Sequence, residues 1–145
     1  MKVKLLLLLP VFLISISEWQ NNLDEAEKIA KKEHKYILLN FSGSDWCGPC
    51  MRMKKEFFET DDFKKMADTE LVLVNADFPR RKKNQLSADQ QKLNDEMADK
   101  YNSQGKFPYT LLLNSGGTVL RTWDGLPEET PEVFIMEVRN GMYTN

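Results

Sequence analysis

The tightest constraint on this chain lies between residues 36 and 50. Tyr36-Ile37-Leu38-Leu39-Asn40-Phe41 is a short, mostly apolar run bounded by aromatic residues, the pattern of a strand buried on both faces. Ser42-Gly43-Ser44-Asp45 turns the chain, and Trp46-Cys47-Gly48-Pro49-Cys50 follows at once, leading into helix formers over residues 51–58. A strand that feeds a helix through a tight turn sets Cys47 beside the free N–H groups and the positive end of that helix. Both favour a thiolate, and the thiolate is the nucleophile. The Cys50 sulfur sits one turn further on and can close on the first.

Around this unit the patterning predicts a layered domain. Residues 22–33 read as an amphipathic helix with Leu23, Ala26, Ile29 and Ala30 on one face, ended by a solvated His34. Thr60-Asp61-Asp62 caps a short helix through Phe63 and Met66, and Leu71-Val72-Leu73-Val74 is a second buried strand. Phe78-Pro79 ends that strand, Arg80-Arg81-Lys82-Lys83 makes a basic loop, and Ser87 with Gln90 reads as a capping box opening a helix with Leu93, Met97 and Tyr101 on one face. Residues 109–113 and 118–123 flank Asn114-Ser115-Gly116-Gly117, a hairpin signal. Thr130-Pro131 starts a last helix through Val133, Met136 and Val138, closed by Gly141. A strand–helix–strand unit followed by a hairpin and a helix gives a central mixed sheet with helices on both faces, a three-layer α/β/α fold.

Length and charge narrow the function classes. At 145 residues the chain suits one domain with its own core, and 41% apolar with 29% charged residues is ordinary globular usage. A formal charge of −2 gives no global reason to expect nucleic acid as a partner. Lys2 and Lys4 precede an apolar stretch over residues 5–16, and Ser15 and Ser17 stand at the −3 and −1 positions before Glu18, so residues 1–17 read as a cleaved signal peptide and residues 18–145 as the domain. Twelve residues interrupted by Pro10 fall short of the ~20 that span a bilayer, and no cysteine near the cleavage site offers a lipid anchor. Cleavage removes two lysines and no acid, leaving 18 basic against 22 acidic residues and a charge of −4. A periplasmic or secreted location follows, where disulfides persist.

Two cysteines this close have three uses. A structural staple stabilises least when its loop is this short. A zinc site wants about four ligands, and one distant histidine does not complete it, so no metal is assigned. Redox chemistry is favoured.

Here the sequence resembles the thioredoxin superfamily over residues 23–139, most specifically in Trp46-Cys47-Gly48-Pro49-Cys50 and in Lys106-Phe107-Pro108-Tyr109-Thr110, where such proteins carry a cis-proline facing the site. The Phe-Ser-Gly-Ser-Asp-Trp-Cys lead-in looks like the secreted bacterial branch. The resemblance implies that Cys47 attacks a substrate disulfide and Cys50 resolves the mixed disulfide, leaving a redox disulfide between them. It further implies that Trp46, Gly48, Pro49, Phe107 and Pro108 form the substrate surface, with Phe107 offering its backbone as a short β-pairing. The Gly-Pro spacer is that of reducing thioredoxins, with potentials of about −270 mV, so a protein-disulfide reductase is expected. No cofactor is implied; the expected partners are disulfide-bonded proteins and an electron-donor thiol protein such as a membrane-borne relay, with the chain itself a monomer. An isomerase or oxidant is the alternative within the class, and a client-binding module with little turnover the alternative outside it.

Two departures stand out. Thioredoxin places a buried Asp, the presumed proton acceptor for the second cysteine, where this chain has Asn40, which does not ionise. Water or another carboxylate then takes the proton, the candidates being Asp45, expected to be exposed, and Asp77. The stretch from Asp77 to Pro108 is also longer than thioredoxin needs and holds the basic run, a solvated loop that topology places on the side of Cys47. Trp19 and Trp123 read as packing residues and Trp46 as flanking the redox pair.

Overall fold

The computed structural model describes residues 17–143, so the expected signal peptide, Ser17 apart, lies outside the described residues. The elements run α1 (Leu23–Glu33), β1 (Tyr36–Ser42), α2 (Gly48–Met53), a π-helical turn (Lys54–Phe58), α3 (Asp61–Glu70), β2 (Leu71–Asp77), a 3-10 turn (Lys82–Asn84), α4 (Ala88–Tyr101), β3 (Tyr109–Leu113), β4 (Val119–Asp124) and α5 (Pro131–Tyr143). The sheet order is β2-β1-β3-β4, with β1 parallel to β2 and antiparallel to β3, and β3 antiparallel to β4. This is the mixed α/β arrangement expected. Gln20 adds a single parallel bridge outside β2, donating to the Leu73 carbonyl and accepting from the Asn75 amide. That contact covers part of an edge otherwise open to pairing.

Alternation along the strands splits the core in two. Ile37, Leu39 and Phe41 of β1, with Val72, Val74 and Ala76 of β2, pack against Leu23, Ala26 and Ala30 of α1 and Met97 of α4. Leu38, Leu71, Leu73 and Leu112 pack into the other layer with Met53, Phe57, Phe58, Phe63, Met66, Phe134 and Val138. Local caps set the helix starts: Asn22, Thr60 and Ser87 each accept an amide hydrogen bond from the residue three positions on. His34 ends α1 in the left-handed conformation at φ 56° and is exposed, as expected of a solvated helix end.

Four local expectations are corrected. Gln90 does not complete a capping box, because its side chain donates to the Asn21 carbonyl and to Asn94 instead. On α4, Leu93 and Tyr101 are only half-buried, whereas Asn94 is buried with Met97, since its amide reaches the Asp77 carbonyl at 2.7 Å. On α5, Val133 and Met136 face solvent; Phe134, Ile135, Val138 and Met142 form the buried stripe, because the Phe134 ring packs among four rings of the core. Gly141 does not close α5 but lies inside it, where a Cβ would come within 2.8 Å of the Leu112 side chain.

Phe134 is fully buried and meets Phe57, Phe58, Phe63 and Trp123 at ring-centroid distances of 5.0 to 6.4 Å. Phe134→Ala is expected to cost about 3–5 kcal/mol in urea unfolding with the disulfide intact, since four rings lose a shared partner.

Candidate active site

The end of β1 delivers the cysteines to the start of α2. Cys47 is the N-cap residue, in extended conformation, and its Sγ accepts the Cys50 amide at 3.2 Å. The two are joined in a disulfide with Cα atoms 5.2 Å apart. Pro49 stands in the first turn, where its missing N–H costs nothing, and both Gly48 and Pro49 are exposed. Cys50 is no more buried than Cys47, at 6% against 5% exposure. In the bonded pair each sulfur shades the other. What separates them is the amide hydrogen bond, which falls on Cys47 alone of the two.

Trp46 is seated by its own turn. Gly43 accepts the amides of Trp46 and Cys47, and a Cβ at Gly43 would fall 2.2 Å from the indole, so only glycine lets the ring lie there. The indole N–H donates to the Phe78 carbonyl at 2.7 Å, and its edge meets Phe107 at 5.4 Å. Phe78 meets Phe107 in turn at 5.6 Å. These contacts bring the segment after α4 to the cysteine motif, and the Phe107–Pro108 peptide bond is cis. Pro108 is buried and Phe107 half-buried.

Behind the disulfide lies a polar row. The strand register pairs Asn40 with Asn75 on one side and Thr110 on the other, and Ser42 with Asp77. Asn40 is buried, donates its Nδ2 to Asn75 Oδ1 at 2.9 Å and accepts from Thr110 Oγ1 at 3.0 Å. The Ser42 hydroxyl lies 3.1 Å from Asn75 Oδ1 and 3.2 Å from Asp77 Oδ1, and Asp77 also accepts from the amide and hydroxyl of Ser44. Asn40, Ser42, Ser44 and Asn75 line a cleft of about 370 Å³ together with Cys50, and Trp19, packed on Phe58 at 5.0 Å, forms part of its wall. Asn75 and Thr110 were not singled out from the sequence, although a polar residue inside an apolar strand run was a readable signal.

Asp45 has a different task from the one considered for it. It is half-buried, and its carboxylate accepts the amides of Arg80 and Arg81 and the Asn84 side chain, all at 2.9 Å. The Arg80 amide foremost, with Asn84 and Arg81, holds this carboxyl below the ordinary range, so it stays charged through neutral pH. Asp45 thus ties the cysteine turn to the basic loop, and the Arg80 guanidinium lies 3.7 Å over the Trp46 ring. No group of three or more metal-ligating side chains converges among the described residues.

A family model described as thioredoxin-like matches residues 18–115. The chain belongs to the thioredoxin-like family. It is 33% identical over 103 residues to the disulfide bond reductase DsbH of Chlamydia pneumoniae and 37% identical over 60 residues to the thioredoxin-related protein DsbJ of the same organism. The matches cover 71% and 41% of this chain but only 60% and 17% of those proteins. Among solved structures, a DsbH oxidoreductase superposes with TM-score 0.79 at 26% identity, covering 100% of this chain and 96% of that one. A thioredoxin from Thermus thermophilus reaches 0.64 at 16% identity, covering 89% of each chain, which speaks to the fold alone.

Gly43→Ala tests the seating of Trp46. It is expected to displace the indole, costing about 1–3 kcal/mol in stability and changing the tryptophan emission of the oxidised protein, whereas Gly48→Ala, which has open space, leaves the emission as it is.

Proposed function

We propose that this protein is a thiol–disulfide oxidoreductase that reduces disulfides of protein substrates outside the cytosol. The observation that carries this is the Cys47 sulfur at the N-cap of α2, accepting the Cys50 amide within a closable pair. In the reduced state the same amide and the helix end favour a Cys47 thiolate. That thiolate attacks one sulfur of a substrate disulfide; a Cys47–substrate bond forms, the substrate disulfide breaks, and its departing sulfur takes a proton. Cys50, deprotonated, then attacks Cys47 Sγ and expels the second substrate thiol. Two electrons pass to the substrate, and the Cys47–Cys50 disulfide returns. Trp46, Phe107 and Pro108, with the exposed Gly48 and Pro49, supply the surface on which the substrate chain rests.

The reducing direction is supported by the Gly-Pro spacer and by the disulfide reductase among the relatives. The leader pattern of residues 1–17 supports the location, and a thiol protein is needed there to return electrons to the pair.

For the resolving proton, the cleft beside Cys50 supports Asp77 as acceptor. Asn40 and Asn75 do not ionise, whereas the Ser42 hydroxyl touches both the cleft and the Asp77 carboxylate. Water in the cleft and Ser42 would pass the Cys50 proton outward to Asp77.

Reduced protein is expected to accelerate insulin reduction by dithiothreitol; no acceleration by folded protein with free thiols overturns the reductase reading. Cys50→Ser is expected to accumulate reducible adducts with client proteins on non-reducing gels and Cys47→Ser almost none, while equal trapping by both overturns the division of roles. Asp77→Asn is expected to slow release from the Cys47 mixed disulfide on the order of a hundredfold, with recovery when Asn40→Asp is added. An unchanged rate assigns the proton to solvent.

A further inference from the structure

We propose that the loop Arg80-Arg81-Lys82-Lys83 is a docking surface for an acidic segment of the substrate polypeptide next to its disulfide. The inference rests on the reductase reading and names the substrate class it selects. Three features of the structure carry it.

The loop adjoins the chemistry. Arg80 stacks on Trp46, the residue before Cys47, and Trp46 in turn touches Phe107, so the basic side chains continue the surface that surrounds the disulfide. A guanidinium held over an indole face can still offer N–H donors to a carboxylate.

The loop is also held in place. Asp45 accepts two successive amides from it, and Lys82–Asn84 forms a 3-10 turn closed by Asn84 N–H to the Arg81 carbonyl and Gln85 N–H to the Lys82 carbonyl. The cations are therefore presented from a fixed backbone, which lowers the ordering cost of engaging a partner.

Finally, the charge is unspent. Residues 80–83 are all exposed, and among the described residues none of the four side chains forms an ion pair. Asp45 meets the loop through its amides, and of the loop's charges Arg81 acts on that carboxylate. On a chain of net charge −2, four adjacent cations beside the redox pair reverse the local sign, and such a patch draws in partners of opposite charge. A lipid surface seated on the same loop would cover Trp46 and Phe107, which a substrate chain has to reach, so a polypeptide is the occupant that fits.

Two readings of one peptide pair test this. The pair shares a disulfide and differs only in carrying Asp and Glu or Asn and Gln beside one cysteine. Reduction at low ionic strength is expected to be roughly tenfold faster for the acidic peptide, with the ratio falling towards one as salt rises past ~0.15 M, where the Debye length is ~8 Å. Replacing Arg80, Arg81, Lys82 and Lys83 together by Gln is expected to bring the ratio to near one at low salt. The second reading omits turnover: serine-for-cysteine forms of both peptides are titrated into the oxidised protein, following the Trp46 indole N–H and the amides of residues 80–83 by NMR. Saturable shifts with the acidic form alone, lost in the Gln variant, support docking. Equal shifts with both forms, or none at millimolar peptide, overturn it, as does binding of phosphatidylglycerol vesicles without preference between peptides. Docking without reduction would instead overturn the reductase reading and leave the surface standing.

Discussion

The hydrogen bond from the Cys50 amide to the Cys47 sulfur closes the first turn of α2, and the redox end is arranged around it. Helix N-caps are ordinarily oxygen-bearing side chains that satisfy an amide the helix leaves open. Here a sulfur fills that position, so the interaction that starts the helix also holds one sulfur of the disulfide. Two requirements follow for the rest of the chain. The strand before the turn has to stop at a fixed place, which β1 does by being buried along its length between two partners. The turn itself has to be rigid, which Gly43 and Asp45 provide, one by accepting both following amides through its carbonyl and the other by binding a distant loop.

The face of the sheet beneath α2 shows what this arrangement asks of the core. Towards the start of the strands that face is apolar, with Leu38, Leu71, Leu73 and Leu112 under an aromatic cluster. Two residues further along the same alternation it becomes polar, with Asn40, Asn75, Thr110 and Ser42. Burying such groups is costly unless each finds a partner, and here they bond one another so that no buried side-chain nitrogen or oxygen is left without one among the described residues. The row is neutral until Asp77, at the end of β2. Amides in place of ionised groups spare the desolvation of a buried charge while keeping a hydrogen-bonded path beside Cys50.

Much of this was legible in the sequence because it depends on local pattern. The apolar runs of β1 and β2, the Thr60 and Ser87 caps, the hairpin at Asn114 and the cysteine turn each rest on residues close in the chain, and each is where the pattern puts it. The misreadings all involve contacts between distant segments. Val133 and Met136 suit a buried stripe as well as Phe134 does until four rings from elsewhere decide which face turns inward. Gly141 looks like a helix stop until Leu112 explains it as a close approach. Asp45 looks like a free carboxylate until the loop 35 residues later closes over it. Asn40 was conspicuous as a departure, but its partners Asn75 and Thr110 needed the strand register to come into view.

Placed together, these contacts divide the surroundings of the disulfide by task. On one side, Cys50 borders a cleft whose wall sets the hydroxyls and amides of Asn40, Ser42, Ser44 and Asn75 beside the apolar Trp19, Met51 and Phe58. On the other, Trp46, Phe107 and Arg80 form a continuous surface of two rings and a cation. The two sides meet at the cysteines, at the turn of residues 43–45, where Ser44 binds Asp77 and Asp45 binds the basic loop, and at Ser42, whose carbonyl accepts the Phe78 amide. Adjacent residues of one turn therefore anchor the two sides separately. The length and charge of the loop after β2 can then vary while the polar row beneath α2 keeps its register, because that register belongs to the sheet.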